Sequence, residues 1–502
     1  MKTFFKTVAI VTVFSVCEKF LGFLYRIYLS RTIGAEGIGL YQVALSVFAL
    51  LLNVVCSGTP ITVSRLMTKY RAQGQEMRVG RIIAAGITFT LAVALPVCAV
   101  TMIFGKSFTF LFADERCLSI FIIVMPGLVF TSVYSVLRGV FWGNKDFLPY
   151  SVTELLEEIC MIIVGIALIN NATTVYQGAV RAGVAVLISY IFSFSLGTAV
   201  FFLRKNKLKN PLSEFRPLLK SALPVTAMRT ANSLTSSLVS IILPVRLIAS
   251  GMTSTEAMSA FGAAVGQAIP LLFIPITLIG SFTLVLVPEI SENYYKKQYR
   301  LLKRDVEKAI KFSVLLTSFF VPVFTVCGEE IGLLVFGGHE CGKYLSASAF
   351  LMIFMSLSSI TTSILNSIGL ERKTLVFFLI SGILMLLSIW FLPKLVGIYA
   401  LLIGFSFIYG LTTLLNLVLI GKNCPIKPNY LKFLGYSVGF MLPVTLFGIM
   451  LENMLIAPLG VFFTLVVCSV AMVAVLGLLY ISFDLISVDL FKKRIGKQSF
   501  NA

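Results

Sequence analysis

Histidine occurs once in these 502 residues, tryptophan twice and acidic side chains only 22 times. Each scarcity removes a class of protein. The single imidazole, His339 in a short polar loop, has no second ligand at metal spacing, so no zinc site is expected. Charged residues make up 13% and hydrophobic residues 58%, with a mean hydropathy of +0.96 sustained along the whole length. That is too apolar for soluble domains and points to a polytopic membrane protein. The nine cysteines include no CxxC pair and lie mostly in apolar runs, where small buried thiols are expected. A Cys327–Cys341 bridge on the outer side stays open on sequence alone. The run "GAEGIG" (Gly34 to Gly39) lacks both a preceding strand and the G-x-G-x-x-G order, so it reads as a tight turn rather than a phosphate loop. No nucleotide site and no cofactor are expected.

What is present is one apolar stretch after another. A membrane-spanning helix needs about 20 mostly apolar residues, and breaks at Gly, Pro or charge clusters leave fourteen candidates: 4–30, 39–60, 82–104, 118–142, 151–170, 175–203, 221–250, 261–288, 312–335, 346–370, 374–395, 396–420, 431–451 and 456–483. The start reads as a retained first span, because no small-x-small cleavage site follows its apolar run. With the N-terminus inside, thirty Lys and Arg fall in cytosolic connections and five in outer ones. This bias orients the chain in its membrane with both termini cytosolic. It also accounts for the net charge of +19 without a nucleic-acid partner. The basic runs "YYKKQYRLLKRDVEKAIK" and "FDLISVDLFKKRIG" read as solvated cytosolic segments or as amphipathic helices on the anionic leaflet.

Two landmarks recur at one offset. Pro60 in "GTPITVS" and Pro288 in "LVPEIS" are 228 residues apart, as are "SVLRGVFWGNK" (from Ser135) and "SILNSIGLERK" (from Ser363). Spans one to six therefore repeat as seven to twelve, in the same orientation, which implies two six-helix lobes around a central cavity. The expected divisions are an N-terminal lobe at 1–210, a C-terminal lobe at 211–425, and two further spans with a basic tail at 426–502. In the second copy Arg138 becomes Asn366 and Gly139 becomes Ser367.

Charges inside spans are costly and mark function by default. Lys19 and Arg26 lie two helical turns apart on the first span, with Gly22 on the same side. On the seventh span Arg229, Asn232, Ser236 and Ser240 form a polar stripe, with Arg246 nearer the outer end. Turning both faces toward one wet cleft is the least costly arrangement. The bland alternative pairs Lys19 with Glu18 and lets Arg26 and Arg246 reach the outer interface. Glu154, Glu157 and Glu158 share one side of the fifth span and could pair with Arg138 or form a proton or cation site, with Glu18 balancing part of the charge.

The segments "LGFLYRIYLSRTIGAEGIGLYQ", "SGTPITVSRL" and "GQAIPLLFIPITLIGSFTLVLVPEIS" resemble the stage V sporulation protein B and polysaccharide-transporter group of the multidrug/oligosaccharidyl-lipid/polysaccharide (MOP) flippase superfamily. The resemblance covers essentially the entire chain. It implies two six-helix lobes around a V-shaped cavity open alternately to each side, with two C-terminal helices forming a groove for a lipid tail. Its lipid II flippase members carry a basic residue before L-G-F, where Lys19 stands in "KFLGF". Where they have Arg-Asp after L-G-F-x this chain has Tyr25-Arg26, and the Arg they place before the proline of span eight is missing from "GQAIPLLFIP". The implied activity is translocation of an undecaprenyl-diphosphate-linked sugar by a monomer among membrane lipids, with Lys19, Arg26, Arg229 and Arg246 as candidate diphosphate ligands. The alternatives are a cation-coupled drug exporter of the same superfamily, which needs intramembrane acids, and a membrane glycan ligase or polymerase. The last class places catalytic groups in sizeable outer loops, and the outer connections here are short.

Overall fold

A computed structural model describes residues 2–423, 431–483 and 485. The basic tail, and any amphipathic helix there, lies outside the described residues. The chain divides into two compact units, 1–266 and 267–502. The first contains α1 (Lys2–Cys56), α2 (Thr59–Ala72), α3 (Glu76–Ile103), α4 (Glu115–Val124), α5 (Gly127–Gly143), α6 (Phe147–Ile169), α7 (Val175–Leu203), α8 (Phe215–Ile248) and α9 (Ser254–Phe261). A π-helical turn, Gly262–Ala268, crosses into the second unit. That unit continues with α10 (Ile269–Tyr295), α11 (Tyr299–Val326), α12 (Gly328–Ile331), α13 (His339–Ser348), α14 (Leu351–Ser367), α15 (Glu371–Phe391), α16 (Pro393–Val396), α17 (Ala400–Phe405), α18 (Thr412–Asn423) and α19 (Leu431–Ser482).

Helix covers every one of the fourteen stretches, and no strand occurs among the described residues. Nine helices among them are long and apolar enough to cross a membrane, or eleven when the bent pairs 115–143 and 339–367 count as spans. The shortfall from fourteen has physical causes. In α1 one residue, Gly34 at φ 67, separates the first two stretches, which therefore count as one span, whereas the break at Gly460, φ 71, leaves the two halves of α19 as separate spans. Only glycine takes such angles without strain. The turn expected over "GAEGIG" is thus a single-residue break. α6 has the length of a span but carries three carboxylates, and the contiguous apolar part of α8 is only Ser233–Ile248.

In the first unit α1 buries Tyr25, Leu29 and Ile33 on one face, and that face packs on α6 and α7. Gly165 makes the approach workable: a Cβ there would stand 2.1 Å from the Tyr25 hydroxyl. Without a hydrophobic force between helices in lipid, such close small-residue packing carries the association. Beside it, Val63, Met67, Ile82, Val136, Val140 and Phe141 join α2, α3 and α5 in one buried cluster. In the second unit the basic stretch at 299–311 forms the first turns of α11, and its apolar side (Leu302, Val306, Ala309, Ile310) is buried in protein. It is therefore not a helix lying on the leaflet. Cys327 and Cys341 are both buried and free, so the bridge that sequence left open is not formed.

Candidate functional site

Helical geometry puts Glu154, Glu157 and Glu158 on one side of α6, where α1, α5 and α7 pack around it. Arg138 on α5 donates from Nη1 to Glu154 Oε1 at 3.0 Å, and its guanidinium carbon lies 5.4 Å from the Trp142 ring centre. Its Nε is buried without a hydrogen-bond partner among the described residues. Glu18 of α1 lies within electrostatic reach of Glu154, Lys19 and Arg138. Glu157 is a hydrogen-bond partner of Ser193 on α7. Glu158 comes so close to α1 that a Cβ on Gly22 would be 2.8 Å from its Oε1. Gly22, read from sequence as thinning the first span, therefore makes room for a carboxylate. Four helices thus share one cluster, in which Arg138 and Glu154 form the ion pair seen among the described residues.

The cations predicted as ligands divide into two groups. Arg26 is half-buried and donates from Nη1 to the Gly266 carbonyl at 3.0 Å, with Glu158 and Tyr41 in electrostatic reach. Lys19 and Arg229 are exposed, and among the described residues neither forms an ion pair. Arg246 is half-buried in the last turn of α8. The structure therefore gathers Glu18, Glu154, Glu157, Glu158 and Arg138, ties Arg26 to the π turn, and leaves Lys19 and Arg229 uncommitted.

Three further features escaped the sequence reading. On α8 the polar residues that reach the second apolar stretch are Thr226, which accepts from the Gly58 amide at 3.2 Å, Ser233, which accepts from Asn53 at 3.1 Å, and Ser237, which donates to the Ser46 carbonyl at 2.9 Å. The second feature lies where α1, α4 and α9 meet: Arg116 bonds Glu36 Oε1 and Asp114 Oδ2, each at 2.7 Å, and Ser254 donates to Asp114. Burial alone would raise the Asp114 pKa, but the bonds from Arg116 and Ser254 outweigh it and hold the carboxyl below its usual range. The third is Glu214, 1% exposed, which accepts from the Tyr70 hydroxyl at 2.5 Å and from Arg78 Nε at 2.7 Å. It fixes the segment before α8 to α2 and α3. A cavity of about 280 Å³ between α3, α5 and α7 is lined by apolar groups such as Leu91, Phe130 and Phe194. It offers nothing to an anion.

A family model described as "Polysaccharide biosynthesis protein" matches residues 4–294. The chain belongs to the polysaccharide biosynthesis protein family. This family member is 24% identical over 466 residues to the stage V sporulation protein B of Bacillus subtilis (strain 168), covering 88% of this chain and 87% of the relative. To the lipid II flippase MurJ of the same organism it is 23% identical over 414 residues, 75% of each chain. Among solved structures it matches a lipid II flippase MurJ in an inward closed conformation with a TM-score of 0.74 at 14% identity, covering 95% of this chain and 99% of that one. An inward-facing multidrug resistance MATE transporter of the MOP superfamily matches with a TM-score of 0.65 at 14% identity, over 81% and 93% of the two chains. The fold is the one these MurJ and MATE structures share, and the apolar helices make the chain a polytopic membrane protein.

Proposed function

We propose that the protein is a flippase that moves an undecaprenyl-diphosphate-linked sugar from the inner to the outer leaflet by alternating access of two lobes. One observation carries this reading: Lys19 and Arg229 are exposed cations on two helices, and among the described residues neither forms an ion pair, with Glu18 in electrostatic reach of Lys19 but not bonded to it. Arg138 differs, having Glu154. An unbalanced cation in a span calls for an anionic visitor or a wet path. A diphosphate diester carries about two negative charges and takes charge-assisted hydrogen bonds from Lys and Arg. With the cell interior negative, outward movement of that anion gains about 2.3 kcal/mol per charge per 100 mV. No covalent step is involved. The relatives named for lipid II flipping and for sporulation support a lipid-linked glycan as cargo.

The thirty-to-five distribution of basic residues supports a plasma-membrane orientation with both termini cytosolic. Cysteines at Lys207 and Arg300 should then label only from the cytosol, and cysteines at Glu256 and Lys343 only from outside. A cation-coupled exporter is the second reading, favoured by the carboxylate cluster of Glu18, Glu154, Glu157 and Glu158. Purified protein in liposomes decides between them, with leaflet accessibility of lipid II followed over time. The flippase reading expects translocation that speeds up when the cargo-donating side is made negative. No translocation of any lipid-linked sugar would overturn it. Transport indifferent to potential but abolished by removing a proton or sodium gradient would favour the second reading.

A further inference from the structure

We infer that Arg26 is a latch as well as a ligand: its bond to Gly266 locks the π turn of the eighth span against the first two spans, and an arriving diphosphate opens the lock by taking the guanidinium. The inference rests on the flippase reading and adds to it a route from cargo binding to conformational change.

The seam it closes is made of bare backbone. A Cβ on Gly262 would stand 1.8 Å from the Ala35 carbonyl oxygen, and one on Gly39 would stand 2.1 Å from the Met258 carbonyl oxygen. One on Gly266 would meet Ile38 at 2.2 Å. Three glycines in two facing segments therefore let α1 beyond its Gly34 break lie directly on α9 and the π turn. Contact this close has little freedom to deform gradually, so it is either seated or parted. The π turn marks the spot where span eight gives up α-helical register, a rare feature concentrated at functional sites. At that spot the Gly266 carbonyl takes its bond from Arg26, about two helical turns before the α1 break, at 3.0 Å.

Arg26 gives the carbonyl one of its five N–H donors, through Nη1, and an anion that draws the guanidinium toward itself pulls that donor out of reach of the carbonyl. A carbonyl is a neutral acceptor, whereas a phosphate oxygen is charged and bonds about twice as strongly. Cargo therefore has the differential affinity that a ligand needs to shift a two-state element. Glu158, within electrostatic reach, keeps Arg26 balanced while the cargo is away. Lys19 and Arg229, which form no ion pair among the described residues, hold the anion without touching the seam.

Hydrogen–deuterium exchange of the protein in lipid nanodiscs tests this on peptides covering 33–40 and 258–268. Arg26→Met, which keeps the bulk and removes the donor, should raise exchange of both peptides roughly ten- to a hundredfold, as expected for loss of a charge-assisted bond. Undecaprenyl diphosphate added to the wild type should raise it in the same direction and should add nothing in the variant. Arg26→Lys, with partial protection expected, replaces Arg26→Met if the latter does not accumulate. Unchanged protection in these variants would overturn the latch. A wild type that binds undecaprenyl diphosphate by thermal shift yet keeps both peptides protected would overturn the release step. Absence of any thermal shift would instead count against the flippase reading, with the variant arm still deciding the latch.

Discussion

Arg138 and Asn366 occupy matching places in two stretches 228 residues apart, and they solve the same packing problem with different chemistry. Arg138 pairs with Glu154 at 3.0 Å on the following helix, whereas Asn366 accepts a hydrogen bond from Thr374 at 2.8 Å on its own next helix. The same offset carries Glu154, Glu157 and Glu158 onto Gly382, Met385 and Leu386. At these four places one copy carries an arginine and three carboxylates and the other carries no charge. The second copy forms its helices without an ion pair there. That difference, more than the presence of charge, is the reason the proposed handling of charged cargo is placed in the first unit.

The contrast breaks most visibly at Arg138. Arg138→Ala strands Glu154 in a half-buried setting and should cost about 3 kcal/mol of stability, read as a lower melting temperature in detergent and a lower yield. Asn366→Ala loses one neutral hydrogen bond and should cost about 1 kcal/mol. Making the pair neutral, as Arg138→Asn with Glu154→Gln, should restore melting; restored melting with normal transport would show the pair to be structural only.

Outside the spans the same arithmetic applies with water at hand. Glu214→Gln keeps the shape but weakens the bonds from Tyr70 and Arg78, and should cost about 2 kcal/mol, seen as earlier proteolysis of the segment before α8. Asp114→Asn should cost less, about 1 kcal/mol, because Arg116 keeps Glu36. Its signature is pH dependence. A carboxyl held below its ordinary value contributes fully above pH about 4 and loses that contribution as pH falls through the folded value. The gap between wild type and Asp114→Asn should therefore be flat from pH 5 to 8 and shrink only in more acid solution. A gap that varied across the neutral range would remove Asp114 as its source.

The spans were legible because length and hydropathy are local properties. The partners were not. Arg138 could be matched to Glu154 from sixteen residues away, but Arg26 with Gly266 is separated by 240 residues and Tyr70 with Glu214 by 144. A helical wheel says which side of a helix is polar and not which neighbour it meets. The stripe read on α8 shows this: Ser240 turns its hydroxyl back to the Ser236 carbonyl, while Ser233 and Ser237 make the contacts with α1. Gly22 and Gly34 were visible as glycines, yet the carboxylate one admits and the single-residue break at the other depend on where distant helices come to rest.

The account stands or falls on Lys19 and Arg229 as holders of the diphosphate. The direct measurement is paired: lipid II flipping in cells depleted of other flippases, and thermal melting in detergent, for the Lys19→Ala, Arg229→Ala double variant. Replacing a charge by Ala makes a span cheaper to insert by about 2 to 3 kcal/mol, and among the described residues neither cation has an ion pair to break. The account predicts normal melting with transport abolished. Normal transport in that variant would contradict it outright, and transport lost together with folding would assign both residues to structure.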